Sequence, residues 1–257
     1  MKLGIIQGRL SEPKEGFQEC PVDWKREFDL LFDIGLDHIE WIITQENFYS
    51  NPIFNEDLKG YPISSVCADF MVDYAFCNPN YLNHFLRKTC EAVSDNGISC
   101  ITIPLLENSS INNGKTLSKF TEVFQPYTEE FSNLNFLIEA ELDWRTVKKI
   151  LELNDNIFLT YDTGNITSCG FDHQQYLNNC ISKIKTIHLK DRTRSPMRTV
   201  QPFTGDTDFN VIFKTLGDLQ YDGNFTIQTA RGTSGKEIQT IKEHKQKFKE
   251  LYYEKFI

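Results

Sequence analysis

Apolar and β-branched residues gather in short runs along the chain, and amphipathic helical patterns separate them. The runs begin at Leu3 (LGIIQ), Ile39 (IEWII), Ile63 (ISSVCA), Ser99 (SCITI), Asn135 (NFLIEA), Ile157 (IFLTY), Lys185 (KTIHL) and Asn224 (NFTIQ). Their starts lie 36, 24, 36, 36, 22, 28 and 39 residues apart. Eight β-rich runs at about 30-residue spacing are the rhythm of repeated strand–helix units with parallel strands. The pattern predicts a (β/α)8 barrel.

The segments between the runs carry helix periodicity and helix punctuation. Residues 22–34 put Val22, Trp24, Phe28, Leu31 and Ile34 on one side, and Gly35 offers a C-terminal cap. Asn78-Pro79 is an N-cap and first-turn pair, followed by Leu82, Phe85, Leu86, Thr89 and Val93 and then Gly97. Leu117, Phe120, Phe124 and Phe131 mark a third helix. Asp143 caps a fourth, and Asp208 caps another that should end at Gly217. The last helix runs from about Lys236 to Tyr253. Residues 44–60, with Pro52 and Gly60, are weakly helical.

No linker or shift in composition divides the 257 residues, so residues 1–257 read as one domain of ordinary barrel size. A doubly wound open sheet would need a Gly-rich phosphate turn after the first strand, and GIIQGRLSEP has none. Apolar runs are far shorter than the roughly 20 residues that span a bilayer, and the N-terminus lacks a signal-type cleavage region. Seven cysteines, an odd number without a C-x-x-C pair, fit a reducing compartment, and Cys67 and Cys100 read as core residues. The expected location is the cytoplasm, with no membrane partner. A net charge of −9 disfavours nucleic acid, whose phosphates an acidic surface repels. The oligomeric state stays open, a homo-oligomer included.

Catalytic groups of such barrels stand at the C-terminal ends of the strands. The fifth strand offers Glu139 and Glu141 there, the sixth Asp162, the seventh His188 and the eighth Gln228. Carboxylate, imidazole and amide donors suit one hard or borderline divalent ion, such as Mn, Mg, Co or Zn. Each residue has an ordinary structural alternative: Asp162 as a helix cap, Glu139 in an ion pair, His188 as a hydrogen-bonded interior residue. Their convergence favours a metal, because carboxylates brought together repel unless a cation or proton joins them.

The segments IEA, YDTGN, HLKDR and GDTDF, with GIIQGRLS, HIEWI and SSVCADF nearer the N-terminus, resemble the xylose-isomerase-like superfamily of TIM barrels. That superfamily includes sugar phosphate isomerases and epimerases. The resemblance covers nearly the whole chain, and YDTGN…HLKDR is its most specific part. It implies metal ligands at Glu139, Asp162, His188 and Gln228. Gln228 departs from the family's acidic residue there. It offers a carbonyl oxygen but cannot take a proton, which weakens a scheme with two glutamate bases on opposite faces of the substrate. The endonucleases of the superfamily bind three zinc ions through several histidines, and five histidines in this chain, two of them in expected helices, fit that role poorly.

Cations follow the first, seventh and eighth strands: Arg9, Lys190, Arg192, Arg194, Arg198 and Arg231. They suggest an anionic substrate, with Arg9, Lys190, Arg194 and Arg231 as the leading contacts; the alternative is local salt bridges within Lys190-Asp191-Arg192. Glu40, Asp69 and Glu107 are candidates for buried hydrogen bonding or substrate hydroxyl contacts. Trp41, Phe70 and Trp144 belong to the core or to a sugar pocket, and Gly205 to a turn or a close approach to substrate. The expected activity is isomerisation or epimerisation of a sugar or sugar phosphate, with Glu139 as base and Glu141 as a second carboxylate on the same strand face. The alternatives are a lyase acting on a cyclic polyol or sugar acid, and a non-catalytic sugar-binding barrel with a decayed metal site.

Overall fold

The computed structural model describes residues 1–13, 21, 23–73, 76, 78–111 and 113–255. Parallel strands β1 (Lys2–Ile6), β2 (Ile39–Ile42), β3 (Ile63–Cys67), β4 (Cys100–Leu105), β5 (Asn135–Ala140), β6 (Ile157–Asp162) and β7 (Ile184–Leu189) are joined by an eighth, β10 (Asn224–Ile227). Between them in sequence, β8 (Asp191–Arg194) and β9 (Met197–Val200) form a separate antiparallel hairpin. The eight parallel strands close in the order β1-β10-β7-β6-β5-β4-β3-β2. The helices are α1 (Trp24–Asp33), α2 (Pro79–Asp95), α3 (Gly114–Glu130), α4 (Trp144–Leu151), α5 (Thr163–Ser168), α6 (His173–Cys180), α7 (Phe209–Asp218) and α8 (Glu237–Lys255). This is the expected (β/α)8 barrel. None of the described helices is long and apolar enough to cross a membrane.

The helix ends follow their capping chemistry. Asn78, Asp143 and Asp208 each accept a backbone N–H from the first turn of the helix they precede. Asn113 and Thr116 form a reciprocal capping box on α3. Gly35 and Gly97 adopt positive φ after α1 and α2, as a C-terminal glycine should. Three expectations take a more specific form. The helix predicted over 22–34 is α1, and Val22 lies outside the described residues. Helix α7 passes through Gly217 to Asp218, and Gln220 takes the left-handed conformation instead, at φ 53°. Residues 44–60 hold two short 3-10 turns, Phe48–Ser50 and Pro52–Phe54.

The chain has two compact units. One comprises Met1–Ile39 and Tyr161–Ile257. Its parallel strands β1, β10 and β7 are in register, with Leu3 opposite Phe225 and Phe225 opposite Ile187. Phe213 stacks on Phe225 at 5.7 Å, and both are buried. The other unit, Glu40–Thr160, runs β3-β4-β5 in register, and its core is aromatic: Phe48, Phe70, Phe120, Phe124 and Phe136 are all buried. Trp41 is fully buried with its indole N–H on Asn51 Oδ1, and Phe70 is equally enclosed, so both belong to the core.

Candidate active site

Asp162 ends β6 and begins α5, and its two carboxylate oxygens have separate tasks. Oδ1 caps α5 by accepting the Asn165 N–H at 2.8 Å. Oδ2 stands 3.9 Å from His188 Nδ1 and 3.3 Å from Lys190 Nζ. The cap uses one oxygen, and the other faces His188 and Lys190. Glu139, Asp162 and His188 are buried, and each offers one ligand atom within 4.8 Å of the others.

Gln228 follows the end of β10. Its N–H is held by the Leu189 carbonyl, and it lies two residues beyond Thr226, the partner of His188 across the sheet. That bond continues the β10–β7 pairing one residue past the strand. Gln228 is buried, and its Oε1 has no hydrogen-bond partner among the described residues. The two buried carboxylates and the imidazole, close together, are a donor set that a divalent cation fits.

The loop after β7 is organised by Asp191 and by two glycines. Buried Asp191 accepts the backbone N–H groups of Thr204, Gly205 and Thr207 at 3.0, 2.8 and 3.2 Å. It therefore anchors the GDT turn. A Cβ at Gly205 would lie 2.4 Å from Asp191 Oδ1, so this glycine serves the turn. Gly164 at the start of α5 makes room for the other side of the loop. A Cβ there would meet Cγ of Lys190 and Cγ of Arg192, each at 2.9 Å.

The six cations expected to form one cluster divide into groups. Lys190, Arg192 and Arg194 alternate along one side of the β7–β8 segment and reach β6 and α5. Lys190 meets Asp162, Arg192 donates to Asn165 Oδ1 at 3.0 Å, and Arg194 Nε donates to the Thr167 carbonyl at 3.2 Å. Arg198 is exposed on β9, opposite Thr193. Arg231 binds the β1 side instead, donating to the carbonyls of Gly8 (2.5 Å) and Ser11 (3.0 Å). Arg9 is buried in the same neighbourhood, and burial first, then Arg231, lowers its pKa to about 9 while Glu27 opposes the shift. Buried Glu27 accepts Gly8 N–H and Ser11 Oγ–H, both at 2.7 Å, yet burial raises its pKa above the ordinary carboxylate value.

Other candidates have simpler places. Glu141 lies past the end of β5 and is exposed. The period-two alternation that would put it beside Glu139 stops with the strand at Ala140. Glu40 is buried and accepts from Thr102 Oγ1 at 2.8 Å, and Asp69 and Glu107 each open a 3-10 turn. Trp144 is half-buried beneath the Arg145 guanidinium. Sequence reasoning assigned nothing to His173, whose ring joins Tyr161 OH (2.5 Å) and Thr167 Oγ1 (2.9 Å) behind α5. The polar run DTGNIT was the available sign that this segment is held by side-chain hydrogen bonds.

Comparison with known proteins agrees with this architecture. A family model described as xylose isomerase-like TIM barrel matches residues 28–251. Inosose dehydratase of Clostridium perfringens is 27% identical over 101 residues, covering 32% of this chain and 34% of that protein, so the match spans about a third of the relative's length. The corresponding figure for inosose dehydratase of Clostridium tetani is 29% identity over 101 residues, with the same coverage of each. Among solved structures, the IolI protein with a bound zinc atom superimposes with a TM-score of 0.75 at 16% identity, over 100% of this chain and 99% of that one. L-ribulose 3-epimerase gives 0.75 at 14% identity, over 98% and 94%. With the family model spanning most of its length, the chain belongs to the xylose isomerase-like TIM barrel family.

Proposed function

We propose that this protein is a divalent-metal-dependent isomerase or epimerase of a sugar or sugar phosphate. The observation that carries the reading is the buried group of Glu139, Asp162 and His188, with ligand atoms within 4.8 Å of one another. Asp162, His188 and Glu139 would hold the ion, with the unsatisfied Gln228 Oε1 as a fourth donor. A bound divalent ion supplies polarisation of neighbouring substrate oxygens, which acidifies the C–H bond beside a carbonyl. Glu139 is the carboxylate that removes and returns that proton. Asp162 is committed to its helix cap on one oxygen, and an amide at 228 takes no proton. A single base returns the proton to the face from which it came, which favours aldose–ketose isomerisation over inversion of a centre.

Elimination of water from a cyclic polyol ketone is the second reading. It begins with the same proton abstraction, and the two inosose dehydratases that share sequence with this chain favour it. A panel of sugars, sugar phosphates and inososes, incubated with protein and Mn, Mg, Co or Zn in heavy water, separates the readings. Carbon-bound deuterium without loss of water supports the isomerase, and an unsaturated product supports the lyase. A protein that takes up no stoichiometric metal and exchanges no proton would be a binding barrel, and the proposal would fail.

A further inference from the structure

Within the unit formed by Met1–Ile39 and Tyr161–Ile257, the Lys190 ammonium lies 3.3 Å from Asp162 Oδ2. That oxygen is the one left over from the helix cap, and it belongs to the metal-ligand group. The carboxylate is 1% exposed and the lysine side chain 14% exposed, so the pair is largely shielded from water. Removing one partner from such a contact leaves an uncompensated buried charge, which is strongly destabilising.

The fold fixes the root of Lys190 and leaves its stem a path. Thr163 Oγ1 donates to the Lys190 carbonyl at 2.6 Å and lies 2.9 Å from the Lys190 N–H, so both backbone polar groups of this residue meet one hydroxyl. The stem then crosses Gly164, where a Cβ would intrude to 2.9 Å of Lys190 Cγ. The backbone is clamped, the crossing point carries no side chain, and the flexible methylenes beyond it end at a ligand oxygen. Gln228 adds no negative charge to offset the ammonium.

We propose that Lys190 is an internal competitor for the metal: its ammonium occupies Asp162 Oδ2 in the metal-free protein and yields that oxygen when a divalent ion enters. The inference rests on the metal-dependent reading above. It explains how carboxylates at this site stay tolerable without an ion, and it makes the ion exchangeable rather than permanently held. Lys190 is thus a positioning residue whose charge acts through Asp162.

The experiment compares the wild type with Lys190→Met, which keeps the stem and removes the charge, and with Lys190→Arg, which keeps the charge. Each chain is titrated with Zn or Mn alone by calorimetry, and thermal unfolding is followed with and without a chelator. Lys190→Met should bind metal about tenfold more tightly, the scale of one shielded ion pair. Its metal-free form should melt below the metal-free wild type, and Lys190→Arg should restore wild-type affinity. A folded Lys190→Met with unchanged or weaker affinity overturns the competitor role while leaving the metal reading intact. No metal uptake by the wild type overturns both. The wild-type chain supplies a second measurement that needs no variant to fold. The Lys190 Nζ resonance should shift when one equivalent of Zn is added, and a resonance unmoved at full occupancy overturns the proposal.

Discussion

The imidazole of His38 fills the space that a side chain at Gly4 would need. A Cβ built on Gly4 would lie 2.2 Å from His38 Cδ2 and 2.3 Å from its Nε2. The ring is buried and meets Thr226 Oγ1 at 3.2 Å, while Thr226 is the partner of Gly4 across the sheet. Glycine at position 4 is therefore a packing requirement of the β1–β10 pair. Gly4→Ala should cost about 3 kcal/mol or more, since even modest overpacking costs 1–3. His38→Ala in the same chain should recover part of the loss, because the two sites are in contact. Urea unfolding of the single and double variants measures this, and a neutral Gly4→Ala would contradict it.

Asp162 allows its helix cap and its proposed ligand role to be separated. Asparagine is as good a helix cap as aspartate, so Asp162→Asn should keep the Asn165 N–H satisfied while removing the anionic ligand. Metal occupancy should fall sharply, and the metal-free melting temperature should fall only by the loss of the Lys190 partner, because the cap is kept. Asp162→Ala should lose both, at a further cost of about 1 kcal/mol for the cap. Metal analysis beside thermal unfolding distinguishes the two variants, and full occupancy in Asp162→Ala would remove this residue from the ligand set.

Asp191 predicts a local effect rather than a chemical one. Three backbone N–H groups converge on it from the GDT turn. Asp191→Ala leaves them without their acceptor, a loss of roughly 2–3 kcal/mol for bonds to a charged group. Amide exchange should accelerate at Thr204, Gly205 and Thr207 before it changes in β7. Protection that persists there would show that the turn is held by other means.

The contrast between these residues explains what the amino-acid sequence reveals unaided. Strands such as Asn135–Ala140 and Ile157–Asp162 are legible because burial selects runs of apolar and β-branched residues, and the helices because their caps are chemically specific. The hairpin of β8 and β9 was not legible. DRTRSPMRTV has no apolar alternation, and its strands are held by pairing with each other rather than by a buried face. Helix α5 was hidden for the opposite reason: TGNITS is short and polar, yet Thr163, Gly164, Asn165 and Thr167 are buried among hydrogen bonds. At the site, Asp162 and His188 could be placed by strand position alone. The engagement of Lys190 and Arg192 with β6 and α5 could not, because it depends on Gly164, remote in sequence from both.

Buried histidines give the protein an acid-sensitive face. Burial lowers the His173 pKa from 6.5 to about 4, with Asp172 and Asp208 opposing that shift and Arg194 adding to it. The unfolded chain therefore binds the proton more readily than the folded one. The stabilisation is fully present above about pH 6.5 and is lost as pH falls through about 4. At about 1.4 kcal/mol per pKa unit, His173 contributes at most roughly 3 kcal/mol to this dependence. His173→Gln should be less stable than the wild type at pH 7, having lost its place between Tyr161 and Thr167, but its stability should fall less between pH 7 and pH 4.5. Denaturation at both pH values tests the difference, and equal slopes would exclude His173 as the cause.

Under the proposed isomerase reading, Gln228 would decide the stereochemical course. On that reading, with Glu139 as the base and an amide at 228, the proton would leave and return on a single face of the substrate. In heavy water an aldose–ketose pair should then show part of the label carried from the abstracted carbon to its neighbour, with no inverted centre. Gln228→Glu adds a carboxylate where the amide oxygen is now buried and unsatisfied. The extra charge should tighten metal binding, measured by calorimetry, and the new base should introduce weak epimerase activity, measured by the appearance of the inverted sugar. Its cost in the metal-free chain is a third carboxylate in a buried site, so its metal-free form should be less stable than the wild type. Glu139→Gln should abolish exchange while the barrel still folds, because the replacement is nearly isosteric. Efficient inversion by the wild type would require a second base that Gln228 cannot be, and near-native exchange in Glu139→Gln would move the base away from Glu139 altogether.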